Sequence, residues 1–288
     1  MHRIAPDDCC LTIVIAAFNE AEALPVLQPR IATALALAEA GGLEARVLYV
    51  DDGSRDRTLP LLRAESQVRP RFRFLSLSRN FGKEAAMLAG LSNSRGQRVA
   101  IMDADLQHPP HLLPQMLAKL DSGEYSQVVA RRTRTDDPWL RTQLSRLYYR
   151  MMNRLVDVEL QDGVGDFRVL DRAAVDALLT LGESNRFSKG LFAWIGFPTA
   201  MIDYENVSRA AGATKWRLRD LFNYGIDGVV SFNYRPLRMS IWFGVLFTAI
   251  AVAYALWVLV DALLHGNAVP GYVTIIAAVT GFGGVQLI

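Results

Sequence analysis

Cysteine is almost missing from these 288 residues: Cys9 and Cys10 stand side by side, and there is no third. This excludes a disulfide framework and a cysteine metal site, and leaves the pair as small apolar residues opening a strand. Excess charge of one sign is also missing. Lys and Arg number 31 and Asp and Glu 29, a net +2 that provides no electrostatic footprint for nucleic acid. Neither G-x-G-x-x-G nor G-x-x-x-x-G-K-[ST] occurs, so a nucleotide here would be held by carboxylates and a metal, not by a glycine loop. The apolar start "CCLTIVIAAF" has no basic region before it and runs into a polar turn, so it does not read as a secretion signal.

Uncharged length is plentiful, and it lies at the C-terminal end. Met239–Val260 is 22 residues without a formal charge and Val269–Ile288 is 20 more, each long enough to cross about 30 Å of hydrocarbon as a helix. Arg235 and Arg238 precede the first run, whereas Asp261–Ala268 has no Lys or Arg. The positive-inside rule then places residues 1–235 in the cytoplasm. The expectation is a multi-pass protein of the cytoplasmic (inner) membrane, its second span cut short at Ile288.

Upstream, short apolar runs alternate with helical patterns. Leu11–Ala17, Arg46–Val50, Phe72–Leu77, Arg98–Met102 and Gln127–Ala130 read as strands, and residues 21–40, Leu59–Gln67, Lys83–Ser92 and Pro110–Leu120 as helices. This rhythm predicts a mostly parallel sheet with helices on both faces, whose ligands bind beyond the carboxyl ends of the strands. Those ends carry "FNE", "DDGS" and "DAD". In "VAIMDADLQHPP", Asp103 and Asp105 share one side of the backbone as long as the chain stays extended. Two carboxylates so placed repel unless a cation or a proton sits between them, and hard oxygen ligands suit Mg²⁺ or Mn²⁺ completed by substrate phosphates.

Taken in order, "TIVIAAFNEAEAL", "VLYVDDGSRDRT", "LSRNFGKEAAMLAG", "MDADLQHPP" and "GVGDFRVLDR" resemble the family 2 glycosyltransferases. "ESNRFSKGLFAWIGF" and "RAAGATKWRLRDL" add a resemblance to their polyprenyl-phosphate group, the dolichol-phosphate mannose synthases and bactoprenol glucosyltransferases. The resemblance implies a Rossmann-like α/β GT-A fold, a nucleotide-sugar donor, Mg²⁺ or Mn²⁺, and a lipid-phosphate acceptor. For a bacterial enzyme these are a UDP-sugar and undecaprenyl phosphate. Asp103 and Asp105 match the metal-binding pair, with Gln107 as a further contact. Glu20, Asp51 and Asp52 match positions that hold base and ribose, supported by the backbone at Ala16 and Ala17, where the family more often has a proline. Asp166 matches an acid beside the sugar, which either orients a donor hydroxyl or acts as base. His108 reads as a turn histidine before Pro109.

Joining one anion to another demands cations on the acceptor side. Arg132, rather than Arg131, is in register with a family phosphate-binding arginine. Arg141 and Ser145 match a phosphate-binding pair that shares a helix face. Arg209 and Lys215 sit on a glycine-containing loop able to fold over the site. "WLRTQLSRLYYRMMNRLV" and "KWRLRDLFNYGIDGVVSF" combine helical apolar spacing with arginines and aromatics, as helices lying in the headgroup region do. The expected organisation is a nucleotide-sugar core over 1–135, an acceptor-side region with interfacial helices over 136–235, and two transmembrane helices over 236–288. Gly281, Gly283 and Gly284 are compatible with a homo-oligomer packed through its spans. A processive polysaccharide synthase is the first rival, but "QLSRL" lacks the tryptophan of QxxRW and two spans are too few for a channel. A noncatalytic module on a GT-A scaffold is the second, opposed by the intact acids and cations.

Overall fold

The computed structural model describes residues 7–105, 108–133, 163–183, 186–205, 235–266 and 271–286. Chain contacts divide it into two compact units, Met1–Ser231 and Phe232–Ile288.

The first unit is built on one seven-stranded sheet. In chain order it runs β1 (Asp7–Ala17), α1 (Leu24–Ala40), β2 (Glu44–Asp51), α2 (Thr58–Val68), β3 (Phe72–Ser76), α3 (Lys83–Asn93) and β4 (Gly96–Asp103). A short 3₁₀ turn leads into α4 (Leu113–Leu120), followed by β5 (Gln127–Arg132), β6 (Val164–Asp171), α5 (Arg172–Thr180), α6 (Ser188–Trp194) and β7 (Thr199–Tyr204). Strand order is β3-β2-β1-β4-β6-β5-β7. All neighbours are parallel except β6, which is antiparallel to both β4 and β5.

The continuous apolar run of β1 is explained by cover on both faces. Ile13, Val14 and Ile15 are fully buried. Ile13 and Ile15 pack with Leu24, Leu27 and Ile31 of α1 and Met116 and Leu117 of α4. Val14 faces the opposite layer, where α3 passes so near that a Cβ on Gly90 would come 2.2 Å from Val14 Cγ1. Glycine is what allows that approach.

The periodicity of β6 and β7 was not legible as strands, yet they complete the same sheet as β1–β5. Strand pairing joins residues far apart in sequence, so this one layer continues past residue 135. In the second unit, α7 (Arg235–His265) and α8 (Tyr272–Gln286) pack on each other. Within α7, Ser240–His265 is long and apolar enough to cross a membrane. Ser240–His265 is the one candidate span among the described residues, and the described part of α8 has 15 residues without a formal charge. Gly271, at φ 84°, precedes its first turn.

Candidate active site

Strand order reverses between β1 and β4, the topological switch point where open α/β sheets leave a crevice. Ala16 pairs with Asp103 across that seam, and Ala17 pairs with Asp51 on the other side. The carboxyl ends of β1, β2 and β4 therefore end level with one another. Because β6 is antiparallel to β4, the start of β6 brings Asp166 to the same edge.

Three loops form the rim, sewn together by hydrogen bonds. Asn19 takes φ 54°, a conformation asparagine tolerates better than most residues. Its N–H donates to Ser54 Oγ at 2.9 Å and its Oδ1 accepts from Arg55 N–H at 2.9 Å. The Glu20 N–H donates to Thr58 Oγ1 at 2.8 Å. Asp52, only 3% exposed, accepts from the N–H groups of Phe81 and Gly82 at 2.8 and 2.9 Å. Its own N–H donates to the Ala17 carbonyl at 2.9 Å. Asp51 is 1% exposed and accepts from Ser54 N–H and Ser76 Oγ, each at 3.2 Å. Both acids thus shape the loop that frames the crevice.

At the floor, β4 stops at Asp103. Asp103 and Asp105 are half-buried while Ala104 between them is buried, so both acids face away from the core. The Asp103 N–H donates to His108 Nδ1 at 2.9 Å, and the buried His108 ring stacks on Phe167 at 5.2 Å between centroids. His108 is thereby more than a turn residue: it braces the first aspartate against β6.

Lys83, the first residue of α3, places its Nζ 2.7 Å from the Asp103 carboxylate and also bonds Asp166 Oδ2. Burial alone would lower the Lys83 pKa, but attraction from Asp103 and Asp166 outweighs it and raises the value. Burial likewise pushes Asp166 up, and the ammonium of Lys83, then Lys189, overcome it and hold its carboxyl well below the usual range. Asp166 Oδ1 is buried without a hydrogen-bond partner. Beneath it, buried Arg168 donates to the Gly165 carbonyl at 2.9 Å and lies 3.4 Å over the Phe192 ring. Burial lowers the Arg168 pKa to about 10, against the attraction of Asp166.

On the far side, Arg132 and Tyr204 pair across β5 and β7. Tyr204 is raised by burial, eased by Arg132, and raised further by Asp105 and Asp103, so these four groups share one electrostatic neighbourhood. Arg131 instead grips Asp203 with two nitrogens, at 2.6 and 2.9 Å.

Asp103 and Asp105 are the residues able to hold a divalent cation. Among the described residues no group of three His, Cys, Asp or Glu is placed as a metal site. Two carboxylates without a closed cage fit an ion whose remaining ligands are substrate phosphates. Gln107, Arg141, Ser145, Arg209 and Lys215, with both basic amphipathic segments, lie outside the described residues. Sequence reasoning missed Lys83, although a cation directly after "FG" at a helix start, in the motif just before "DAD", was a usable signal. It also gave no role to Arg168.

Residues 12–179 match the family model for glycosyl transferase family 2. The chain is 49% identical over 242 residues to CsbB of Bacillus subtilis, covering 84% of this chain and 73% of that protein. It is 32% identical over 278 residues to a protein of Escherichia coli named prophage bactoprenol glucosyl transferase homolog, covering 96% and 90%. It is 33% identical over the same length to the bactoprenol glucosyl transferase of Shigella phage SfV, covering 96% and 90%. Its fold resembles the mannosyltransferase PcManGT from Pyrobaculum calidifontis, solved in complex with GDP-Man and Mn²⁺, with a TM-score of 0.52 at 16% identity over 98% of this chain and 76% of that one.

Proposed function

The chain belongs to glycosyl transferase family 2 and is a glycosyltransferase, and we propose that it moves one sugar from a UDP-sugar to undecaprenyl phosphate at the cytoplasmic face of a membrane. The observation that carries this reading is the crevice at the β1–β4 switch point, where Asp103, Asp105, Asp166, Lys83 and Arg132 converge from three strands and one helix. The relatives named as bactoprenol glucosyl transferases support the lipid-phosphate acceptor, and the candidate span Ser240–His265 supports a membrane setting.

Asp103 and Asp105 would hold Mg²⁺ or Mn²⁺, which supplies charge stabilisation to the departing diphosphate. The chain's own residues do the rest. Glu20, Asp51 and Asp52 frame the nucleoside pocket, with the backbone of Ala16 and Ala17 at its floor. Arg132, with Arg141, Ser145, Arg209 and Lys215, attracts the lipid phosphate to a site already carrying a diphosphate. That phosphate has a second pKa near 6, is largely ionised at neutral pH, and needs little base catalysis. Asp166 accordingly orients a donor hydroxyl; a carboxylate held so far below its usual range is a weak proton acceptor.

The test incubates detergent-solubilised protein with undecaprenyl phosphate and a panel of UDP- and GDP-sugars, with lipid products read by mass spectrometry. One new lipid carrying a single hexose or amino sugar is the expected result. Sugar transfer to water alone would remove the lipid acceptor from the proposal.

A further inference from the structure

Lys83 stands between two carboxylates that come from different strands. Asp103 ends β4, Asp166 lies near the start of β6, and one ammonium bonds both. Without a cation between them these acids would face each other inside the crevice, where attraction and repulsion are both stronger than in water. The backbone leaves Lys83 little choice of position, because the preceding Gly82 N–H is tied to Asp52 at 2.9 Å. A second observation points to a visitor. Asp166 Oδ1 is buried and has no hydrogen-bond partner, so the acid pair has acceptor capacity that the ammonium does not use. Asp103 is also one of the two acids suited to a divalent cation, so a lysine and an ion lay claim to the same carboxylate.

We propose that Lys83 is the resident cation of this site: its ammonium neutralises Asp103 and Asp166 until a divalent ion takes Asp103 from it, after which it stays with Asp166 and is free to donate to the donor's diphosphate. This inference rests on the glycosyltransfer reading for the diphosphate, though not on the identity of the acceptor. The exchange gives the site a reason to bind metal and donor together. An ion alone must displace an ammonium, whereas an ion arriving with a diphosphate offers that ammonium a new anionic partner. No bond is made or broken; only the partners of one carboxylate change.

Competition makes a prediction of unusual sign, since removing a positive side chain should strengthen binding of a positive ion. Full-length protein in detergent is titrated with Mn²⁺ in the absence of nucleotide, and the free ion is read by electron paramagnetic resonance. Lys83→Gln should bind Mn²⁺ about tenfold more tightly than wild type, within the usual range for coupled sites, and Lys83→Arg should remain like wild type. With Mn²⁺ saturating, UDP should bind Lys83→Gln several-fold more weakly, on the scale of one lost charge-assisted hydrogen bond. A second measurement needs no lysine variant. Acetylation of Lys83 by acetic anhydride, followed by mass spectrometry, should increase when Mn²⁺ is added to wild type and stay constant in Asp103→Asn. Unchanged or weaker Mn²⁺ binding by folded Lys83→Gln, or labelling indifferent to Mn²⁺, overturns the proposal. If wild type forms the lipid-linked sugar while both readouts stay flat, the exchange is wrong and the activity stands. If both readouts respond and no lipid product forms with any donor, the exchange stands and the acceptor assignment falls.

Discussion

Asp103→Asn and Asp105→Asn each exchange one anionic oxygen for an amide with almost no change of shape. Asp103 keeps its place through its own N–H on His108, so the substitution should leave the fold intact. Lipid-linked sugar formation should fall on the order of 10²-fold or more, as expected if the ion contributes several kcal/mol at the transition state. Unaltered circular dichroism with near wild-type turnover in EDTA would contradict the assignment. Arg132 is argued differently. Arg131 beside it is committed to Asp203, whereas Arg132 acts on Tyr204 and the same neighbourhood as Asp103 and Asp105. Arg132→Ala should raise the apparent KM for undecaprenyl phosphate or lower kcat while UDP affinity, read by calorimetry, changes little. Lysine should rescue it poorly, since an ammonium cannot grip two phosphate oxygens as a planar fork does. Loss of UDP binding with unchanged acceptor kinetics would place Arg132 on the donor side.

Among the elements, the loops before α2 and α3 carry the donor edge, and Gly53 joins them. Its φ is 68°, and a Cβ there would lie 2.4 Å from the Arg79 carbonyl carbon. Gly53→Ala should cost about 2–5 kcal/mol, adding an unfavourable backbone conformation to a backbone overlap. The measured outcomes are a lower melting temperature and weaker UDP binding, since Asp52 would no longer seat Phe81 and Gly82. On the other side of α3, Glu84 accepts from Ser188 N–H at 3.1 Å and from Ser188 Oγ, tying α3 to the start of α6. Burial first, and repulsion from Asp166 as well, raise the Glu84 pKa against the opposing bonds from Ser188. A carboxyl raised in the fold binds more protons native than unfolded. Wild-type stability should therefore decline as pH climbs from the ordinary glutamate range, about 4.3, through the raised value. Glu84→Gln keeps an acceptor for Ser188 and removes that charge, so its stability relative to wild type should grow across the same window and level off above it. Thermal melts over that range check the sign; equal slopes for both proteins would mean that Glu84 does not titrate as its burial implies.

For the molecule as a whole, the proposed lipid-phosphate acceptor at the β1–β4 crevice predicts one transfer per encounter. On the proposed reading, attack by the acceptor phosphate opposite the departing diphosphate would invert the anomeric carbon, so an α-linked nucleotide sugar should yield one β-linked sugar on the lipid. Nuclear magnetic resonance of the purified product reads the linkage, and mass spectrometry reads the count. An α linkage would replace direct displacement with a two-step route, and a ladder of sugars would restore the processive synthase.

What the amino-acid order determined by itself is local and periodic. The unbroken apolar run of β1 requires cover on both faces, the alternation with helices requires a mainly parallel sheet, and the uncharged run after Arg238 requires a long apolar helix; each appears. Acids placed at strand ends were legible too, because a parallel sheet brings such ends to one edge whatever the loop lengths. Tertiary structure decided what depends on distant partners. Whether "GVGDFRVLD" and "TAMIDY" are strands was settled by pairing with β4 and β5, a nonlocal interaction without a signature in either segment. The same pairing sets Asp166 against Lys83, 83 residues away in sequence, and so turns a helix-opening lysine into the counterion of the crevice. Charge at a single position can be read from a sequence, but which charge it must answer is fixed only when the sheet closes around it.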